Sequence, residues 1–277
     1  MITELVISTY QKPGHLALVL STLAKQRQKP QSVCIADDGS DNQTESMLND
    51  FAKTSAVPLR HIWHEDRGFR KTQILNEAVR SSTADYMIFI DDDCLMHVSF
   101  IERHLQLARV GRFLTGSLIR LSDKMTTQFL DQRRVDWTAK DRLFGWQPQN
   151  LSEQLKSMPL PVSVMGILDR LSPVRRSWAG CNASTFREHI LAVNGFDNRM
   201  EYGGLDREFG ERLENAGITG LRIRYRAICL HLDHSREYAR SEKLAFNNKI
   251  REYTKANKSV RTDYGISEIS PESASVI

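Results

Sequence analysis

Three consecutive carboxylates, Asp91, Asp92 and Asp93, close the run Ala84-Asp85-Tyr86-Met87-Ile88-Phe89-Ile90. Like charges this close repel and cost stability unless something positive neutralises them. A hard divalent cation, Mn2+ or Mg2+, does so through oxygen ligands and shares its coordination sphere with phosphate oxygens. The residues in front set the location. Tyr86 to Ile90 is uninterruptedly apolar, the pattern of a strand buried on both faces of a parallel sheet. In open α/β sheets ligands bind beyond the carboxyl ends of the strands. A solvated acidic turn is the plainer reading of three aspartates, and the apolar strand argues against it. A second acidic pair, Asp37-Asp38, ends the run Ser32-Val33-Cys34-Ile35-Ala36. Two strands therefore deliver carboxylates to one crevice, and Asp38 is expected near Asp93.

The elements that must position these groups alternate in type. Glu4 to Tyr10 reads as the first strand, and Pro13 opens a helix with Leu16, Val19, Leu20 and Leu23 at helical spacing. Ser40 or Asp41 caps a helix after the second strand. Leu59–Trp63 is a third strand, Lys71–Ser81 a third helix, and the acidic strand follows. This alternation predicts right-handed parallel crossovers and a three-layer α/β/α sandwich with a mainly parallel central sheet. A helix over 97–109 and a strand over 112–119 continue the pattern. From Ser122 to Pro173 it degrades into loops and short helices, a flap or acceptor-side cover, broken by Pro148, Pro159, Pro161 and Pro173. Order returns at Ser177-Trp178-Ala179-Gly180-Cys181-Asn182, then a helix over 187–193, Asn194-Gly195-Phe196-Asp197, and a helix opening at Gly203-Gly204-Leu205-Asp206. A strand over Ala227–Leu230, the run His231-Leu232-Asp233-His234, a basic helix near 237–255 and a polar, frayed tail from Asp263 complete the chain.

The 277 residues, 40% hydrophobic, suffice for one large α/β domain. A net charge of +4, with basic and acidic residues interleaved, gives no ground for a nucleic-acid partner. Local basic excess at 103–142 and 170–176 suits phosphates or an anionic membrane surface. Four cysteines without a CxxC pair point to reduced thiols and a cytoplasmic setting. No signal peptide pattern opens the chain, and no apolar stretch approaches the ~20 residues of a bilayer span. The protein is expected to be soluble or peripheral to the inner face of a membrane.

Val6-Ile7-Ser8-Thr9-Tyr10, Ala36-Asp37-Asp38-Gly39-Ser40, Arg67-Gly68-Phe69-Arg70-Lys71 and Phe89-Ile90-Asp91-Asp92-Asp93 resemble, in order and spacing, an inverting glycosyltransferase of family 2 with the GT-A type nucleotide-sugar fold. Trp178 to Asn182, Asn194 to Asp197 and Gly203 to Phe209 resemble the galactosyltransferase-like segment of bacterial polysaccharide synthases. The resemblance covers residues 3–120 and about 176–235. It implies a donor-binding half (1–120), an acceptor-binding and catalytic half of the same domain (121–262) and a tail (263–277). By similarity Thr9 and Tyr10 line the base pocket, Asp38 accepts from a uracil ring, and Arg67, Arg70 and Lys71 approach the nucleotide. Asp91 meets the ribose or a metal-bound water, and Asp93 ligates Mn2+ or Mg2+ together with His231 or His234. Asp92, Trp178, Gly180, Asn182 and Gly204 join the donor-binding set, and Asp206 matches the general base. The relatives usually carry Gly-Gly-Glu-Asp, where Leu205 replaces the Glu here, so that carboxylate's sugar contact is not carried over.

The implied reaction moves a sugar from a nucleotide diphosphate, a uridine one first, to a hydroxyl of a glycan or lipid-linked glycan. A cation offsets charge on the leaving diphosphate, and a base on the opposite sugar face activates the hydroxyl. The glycines before Asp206 let the backbone pass close to a sugar. Trp178 and Trp146 offer faces for sugar stacking or core packing. Asn182 suits a sugar hydroxyl or a turn, and Glu208 the helix or the acceptor. His61 and His64 lack ligand spacing and read as structural. Two rival functions use the same fold. A sugar-nucleotide nucleotidyltransferase would want a glycine-rich loop after the first strand, where only Gly14 is near. A non-catalytic carbohydrate-binding protein would release no nucleoside diphosphate.

Overall fold

The computed structural model describes residues 1–133, 135, 150–234, 241–268 and 275–276. In chain order the elements are β1 (Thr3–Thr9), α1 (Pro13–Ala24), β2 (Ser32–Asp37), α2 (Asn42–Thr54), β3 (Leu59–Trp63), α3 (Lys71–Ser81), β4 (Tyr86–Asp91), β5 (Cys94–Met96), α4 (Phe100–Leu107), β6 (Arg112–Thr115) and β7 (Ser117–Arg120). They continue with α5 (Asp123–Gln132), α6 (Leu151–Ser157), α7 (Val162–Leu171), β8 (Ala183–Phe186), α8 (Arg187–Ala192), α9 (Leu205–Asn215), β9 (Thr219–Arg222), β10 (Ile228–His231), α10 (Ser241–Ala256), a 3-10 turn at Ile266–Glu268 and β11 (Ser275–Val276). The larger sheet has the order β11-β3-β2-β1-β4-β8-β6-β9. Strands β3, β2, β1 and β4 are parallel, β8 runs antiparallel to its neighbours β4 and β6, and β9 is parallel to β6.

The three layers follow from strand alternation. On β1, Leu5 and Ile7 join Val33, Ile35 and Ile88 beneath Leu16, Val19, Leu20 and Leu23 of α1. Val6 points the other way and joins Cys34, Ala36, Met87 and Phe89 against Ile74 and Ala78 of α3 and Phe209 of α9. Every residue of β1 is buried, including Glu4, whose carboxylate pairs with Arg60 at 2.9 Å. A buried charge is tolerable because it is paired and hydrogen-bonded.

The expected strand over 112–119 is two strands. The break is Gly116, where a Cβ would lie 2.1 Å from Asn182 Oδ1. There the chain leaves the large sheet and joins a small one of order β5-β10-β7. The expected helix over 97–109 covers only Phe100–Leu107, since β5 and its turn occupy the residues before it. Short helices α5, α6 and α7 lie within 122–173 as expected, while Trp146 falls outside the described residues. The described part of the tail is better held than its composition predicts. Asn198 N donates to the Tyr264 carbonyl at 2.7 Å and Ile266 N to the Asn194 carbonyl at 3.0 Å, and β11 pairs antiparallel with β3. Among the described residues no helix is long and apolar enough to cross a membrane.

Candidate active site

The end of β1 gathers the acidic strand ends. Asp38 N donates to the Thr9 carbonyl and Asp92 N to the Ser8 carbonyl, each at 3.0 Å. Thr9 Oγ1 donates to Asp92 Oδ2 at 2.8 Å and Ser8 Oγ to Asp91 Oδ1 at 2.7 Å. The carboxylates of β2 and β4 thus flank one strand end. Asp38 accepts from the Arg70 amide at 2.9 Å, and His64 Nε2 lies 2.7 Å from its other oxygen. His61 pairs with Asp37 at 3.0 Å, so both histidines buttress the acidic edge, in keeping with a structural role. Tyr10 is half-exposed over this edge, its hydroxyl donating to Asp66 at 2.9 Å. Arg70 reaches the Glu65 carbonyl, and Arg67 stands apart in solvent, paired with Glu65.

Asp93 is placed by the small sheet. Strand β5 pairs antiparallel with β10 in a register that sets His231 opposite Cys94, and Leu232 N donates to the Asp93 carbonyl at 2.9 Å. This brings both sequence-nominated histidines to one carboxylate: His234 Nε2 lies 3.0 Å and His231 Nε2 3.6 Å from Asp93. Lys12 Nζ lies 3.7 Å away, and the Cys94 thiol donates to Asp93 at 3.4 Å. Burial works to raise the Asp93 carboxyl, but the His234 hydrogen bond and the charges of His231 and Lys12 hold it well below the usual carboxylate range. Burial and the adjacent Asp93 charge push Asp92 up to about 7. Asp93, Cys94 and His231 each offer a ligand atom within 4.8 Å of the others. Sequence reasoning missed Lys12 and Cys94. Their signal was position, because the turn after β1 and the residue after Asp93 must border any ligand at these strand ends.

Asp206 sits in the first turn of α9, after Gly203 (φ +96°) and Gly204 (φ +91°), left-handed conformations that favour glycine. Its Oδ1 is buried without a hydrogen-bond partner. A Cβ on Gly180 would lie 2.6 Å from that oxygen, so glycine there makes room for the carboxylate. Burial pushes the Asp206 carboxyl up to about 6, with Lys71 pulling it down, Asp91 adding to the rise and the Gly180 amide opposing it. Lys71 joins the two halves of the site. Its Nζ is 2.6 Å from Asp91 Oδ1, and although burial lowers its pKa, the charges of Asp91, Asp206 and Asp93 raise it on balance. Lys71, paired with Asp91, thus also feels the charge of Asp206, and Asp206 that of Asp91.

Two nominated sugar contacts are instead core residues. Trp178 is 1% exposed, its ring 4.9 Å from Phe209, 5.5 Å from Phe89 and 5.9 Å from Phe113. Asn182 is fully buried and donates to the carbonyls of Ser117 at 2.8 Å and Ala227 at 3.1 Å, stitching the two sheets together. The segment between them exposes Gly180 to the site, while its flanks seal the core. Glu208 is likewise structural, held by Arg212 at 2.8 Å and Thr254 at 2.9 Å.

The family model for glycosyl transferase family 2 matches residues 4–172, the stretch that carries β1 through α7. The chain belongs to glycosyl transferase family 2. The GT-A type fold expected from the resemblance holds. A second family model, the N-terminal domain of galactosyltransferase, matches residues 172–235, which include Asp206 and both histidines. Chondroitin synthase of Escherichia coli is 25% identical over 223 residues, 77% of this chain and 32% of that protein. The glycosyltransferase YfnE of Bacillus subtilis is 25% identical over 262 residues, 84% of this chain and 65% of that protein. This family member thus spans less than two thirds of the length of either relative. Among solved structures, the Pyrobaculum calidifontis mannosyltransferase PcManGT, in complex with GDP-Man and Mn2+, superposes with a TM-score of 0.57 at 18% identity, covering 86% of this chain and 58% of that one.

Proposed function

We propose that this chain moves a sugar from a nucleoside diphosphate donor, a uridine diphosphate sugar first, to a hydroxyl of a glycan or glycolipid acceptor, with inversion at the anomeric carbon. The observation that carries the reading is Asp206, a carboxylate with a buried, unpartnered oxygen beside Gly180, whose charge interacts with Lys71 and Asp91 at the acidic strand ends. On this reading residues 1–120 hold the donor, residues 121–262 the acceptor and the base, and 263–277 form a tail.

Asp93 with His231 fits a divalent cation, Cys94 being the third group in ligand range and His234 lying 3.0 Å from the same carboxylate. The carboxylate is held ionised, and a set mixing one carboxylate with imidazoles suits Mn2+ better than Mg2+. When bound, such a cation offsets the charge that builds on the leaving diphosphate. The chain's own residues do the rest. Thr9, Tyr10 and Asp38 border the base, Asp38 being held in orientation by the Arg70 amide. Lys71 holds Asp91 in place toward the ribose. Asp206 removes the proton from the acceptor hydroxyl as it attacks the anomeric carbon from the face opposite the diphosphate. The nucleotide sugar and Mn2+ carried by the mannosyltransferase of the same fold support this assignment.

A screen of uridine and guanosine diphosphate sugars for slow, metal-dependent donor hydrolysis tests it. Release of nucleoside diphosphate that stops on chelation is expected. Donor binding without release from any sugar nucleotide would instead leave a carbohydrate-binding protein.

A further inference from the structure

Helix α7 is packed the wrong way round for a surface helix. An amphipathic helix ordinarily buries its apolar stripe and exposes its charges. Of the ten residues of α7, only Asp169 is buried. Its carboxylate accepts from Arg226 Nε at 2.6 Å and Tyr225 N at 2.8 Å. Arg222 pins the end of the helix by donating to the carbonyls of Asp169 at 3.1 Å, Arg170 at 3.0 Å and Val174 at 2.8 Å. These polar anchors hold α7 against the body. Val164, Ile167 and Leu171 follow at helical spacing on a stripe about 160° from Asp169, at ~100° per residue. They are 38%, 53% and 74% exposed. Met158 and Val174, at either end, are also exposed.

In the chain on either side of the stripe, the exposed charges are one-sided. Between residues 150 and 176 the acids Glu153 and Asp169 are buried, as is Lys156, and the exposed charges are Arg170, Arg175 and Arg176. On the side facing α9, Arg175 and Arg176 border a cleft of about 260 Å3, whose lining carries two further arginines, Arg207 and Arg251, against Glu211 and Glu214. An apolar stripe about two turns long, rimmed by cations, matches the boundary between acyl chains and anionic headgroups. We infer that α7 docks this protein on the surface of an anionic lipid bilayer, with Val164, Ile167 and Leu171 entering the interface and Arg170, Arg175 and Arg176 meeting the headgroups. The helix lies on the bilayer and does not cross it. Such docking would keep a glycolipid acceptor within reach of the soluble body.

Co-sedimentation of the full chain with vesicles tests this without reference to catalysis. One set of vesicles is phosphatidylcholine alone, and the other contains phosphatidylglycerol as well. The wild type is expected to partition onto the anionic vesicles and not onto the neutral ones. Ile167→Ser/Leu171→Ser and, separately, Arg170→Gln/Arg175→Gln/Arg176→Gln each lower that partitioning by roughly tenfold, with the melting temperature unchanged. Equal partitioning of the wild type onto both vesicle types, or equal partitioning of wild type and both variants, overturns the inference. So does a dimer in light scattering that Ile167→Ser/Leu171→Ser returns to a monomer, because a second copy would then cover the stripe.

Discussion

An Asp206 carboxyl raised to about 6 suits the base role proposed for it, and that rise costs the fold something. Its buried Oδ1 has no hydrogen-bond partner, so the ionised form is held against desolvation. Two outcomes follow from this one residue. Asp206→Asn keeps donor binding and slows transfer by about 10²–10⁴-fold, read as kcat at saturating donor. In the wild type, kcat/KM falls as pH drops below about 6, where Asp206 takes up its proton. The stability sign is opposite to that of a salt-bridged aspartate. A carboxyl raised above its unfolded value near ~3.9 destabilises the fold increasingly between that pH and 6. Asp206→Asn should therefore raise the melting temperature at pH 8 and match wild type below about pH 4. A variant with wild-type turnover removes Asp206 as the base.

Single positions decide how the elements meet. Gly180→Ala places a Cβ 2.6 Å from Asp206 Oδ1 and must push the carboxylate aside. Turnover is expected to fall by about 10²-fold, with nucleotide affinity measured by calorimetry unchanged. Asn182→Ala removes donors to two buried carbonyls that join the sheets, and should cost about 2–4 kcal/mol in chemical denaturation. An unchanged denaturation midpoint with a raised KM for donor would return Asn182 to the sugar site. The sequence read the parallel strands well, because continuous apolar runs and acidic ends are local signals. It read the small sheet poorly. Strand β5 is three residues long, and its partner β10 lies more than 130 residues on, so no local periodicity announces the pairing that carries His231 to Asp93. Trp178 and Asn182 were misplaced for a related reason: residue type suggests a sugar contact, and only tertiary packing shows both in the core with Gly180 against Asp206 between them.

At the scale of the whole molecule, the acidic strand ends and Asp206 come from different parts of the chain, and β8 inserts between β4 and β6 to join those parts in one sheet. The first half was legible as strand–helix alternation. The stretch from Ser122 to Pro173 was legible only as loops and short helices, because α7 inverts the usual pattern and hides its one acid while exposing its apolar residues. The central claim is that the strand ends around Asp93 hold a cation and a nucleoside diphosphate while Asp206 acts separately. The measurement that tests it most directly is calorimetric titration of the nucleoside diphosphate selected by the donor screen, with Mn2+ and with chelator, into wild type, Asp206→Asn and Asp93→Asn. The account predicts metal-dependent binding of equal strength in wild type and Asp206→Asn, and its loss by about 10²-fold or more in Asp93→Asn. Binding by Asp93→Asn that equals wild type, with or without chelator, contradicts it.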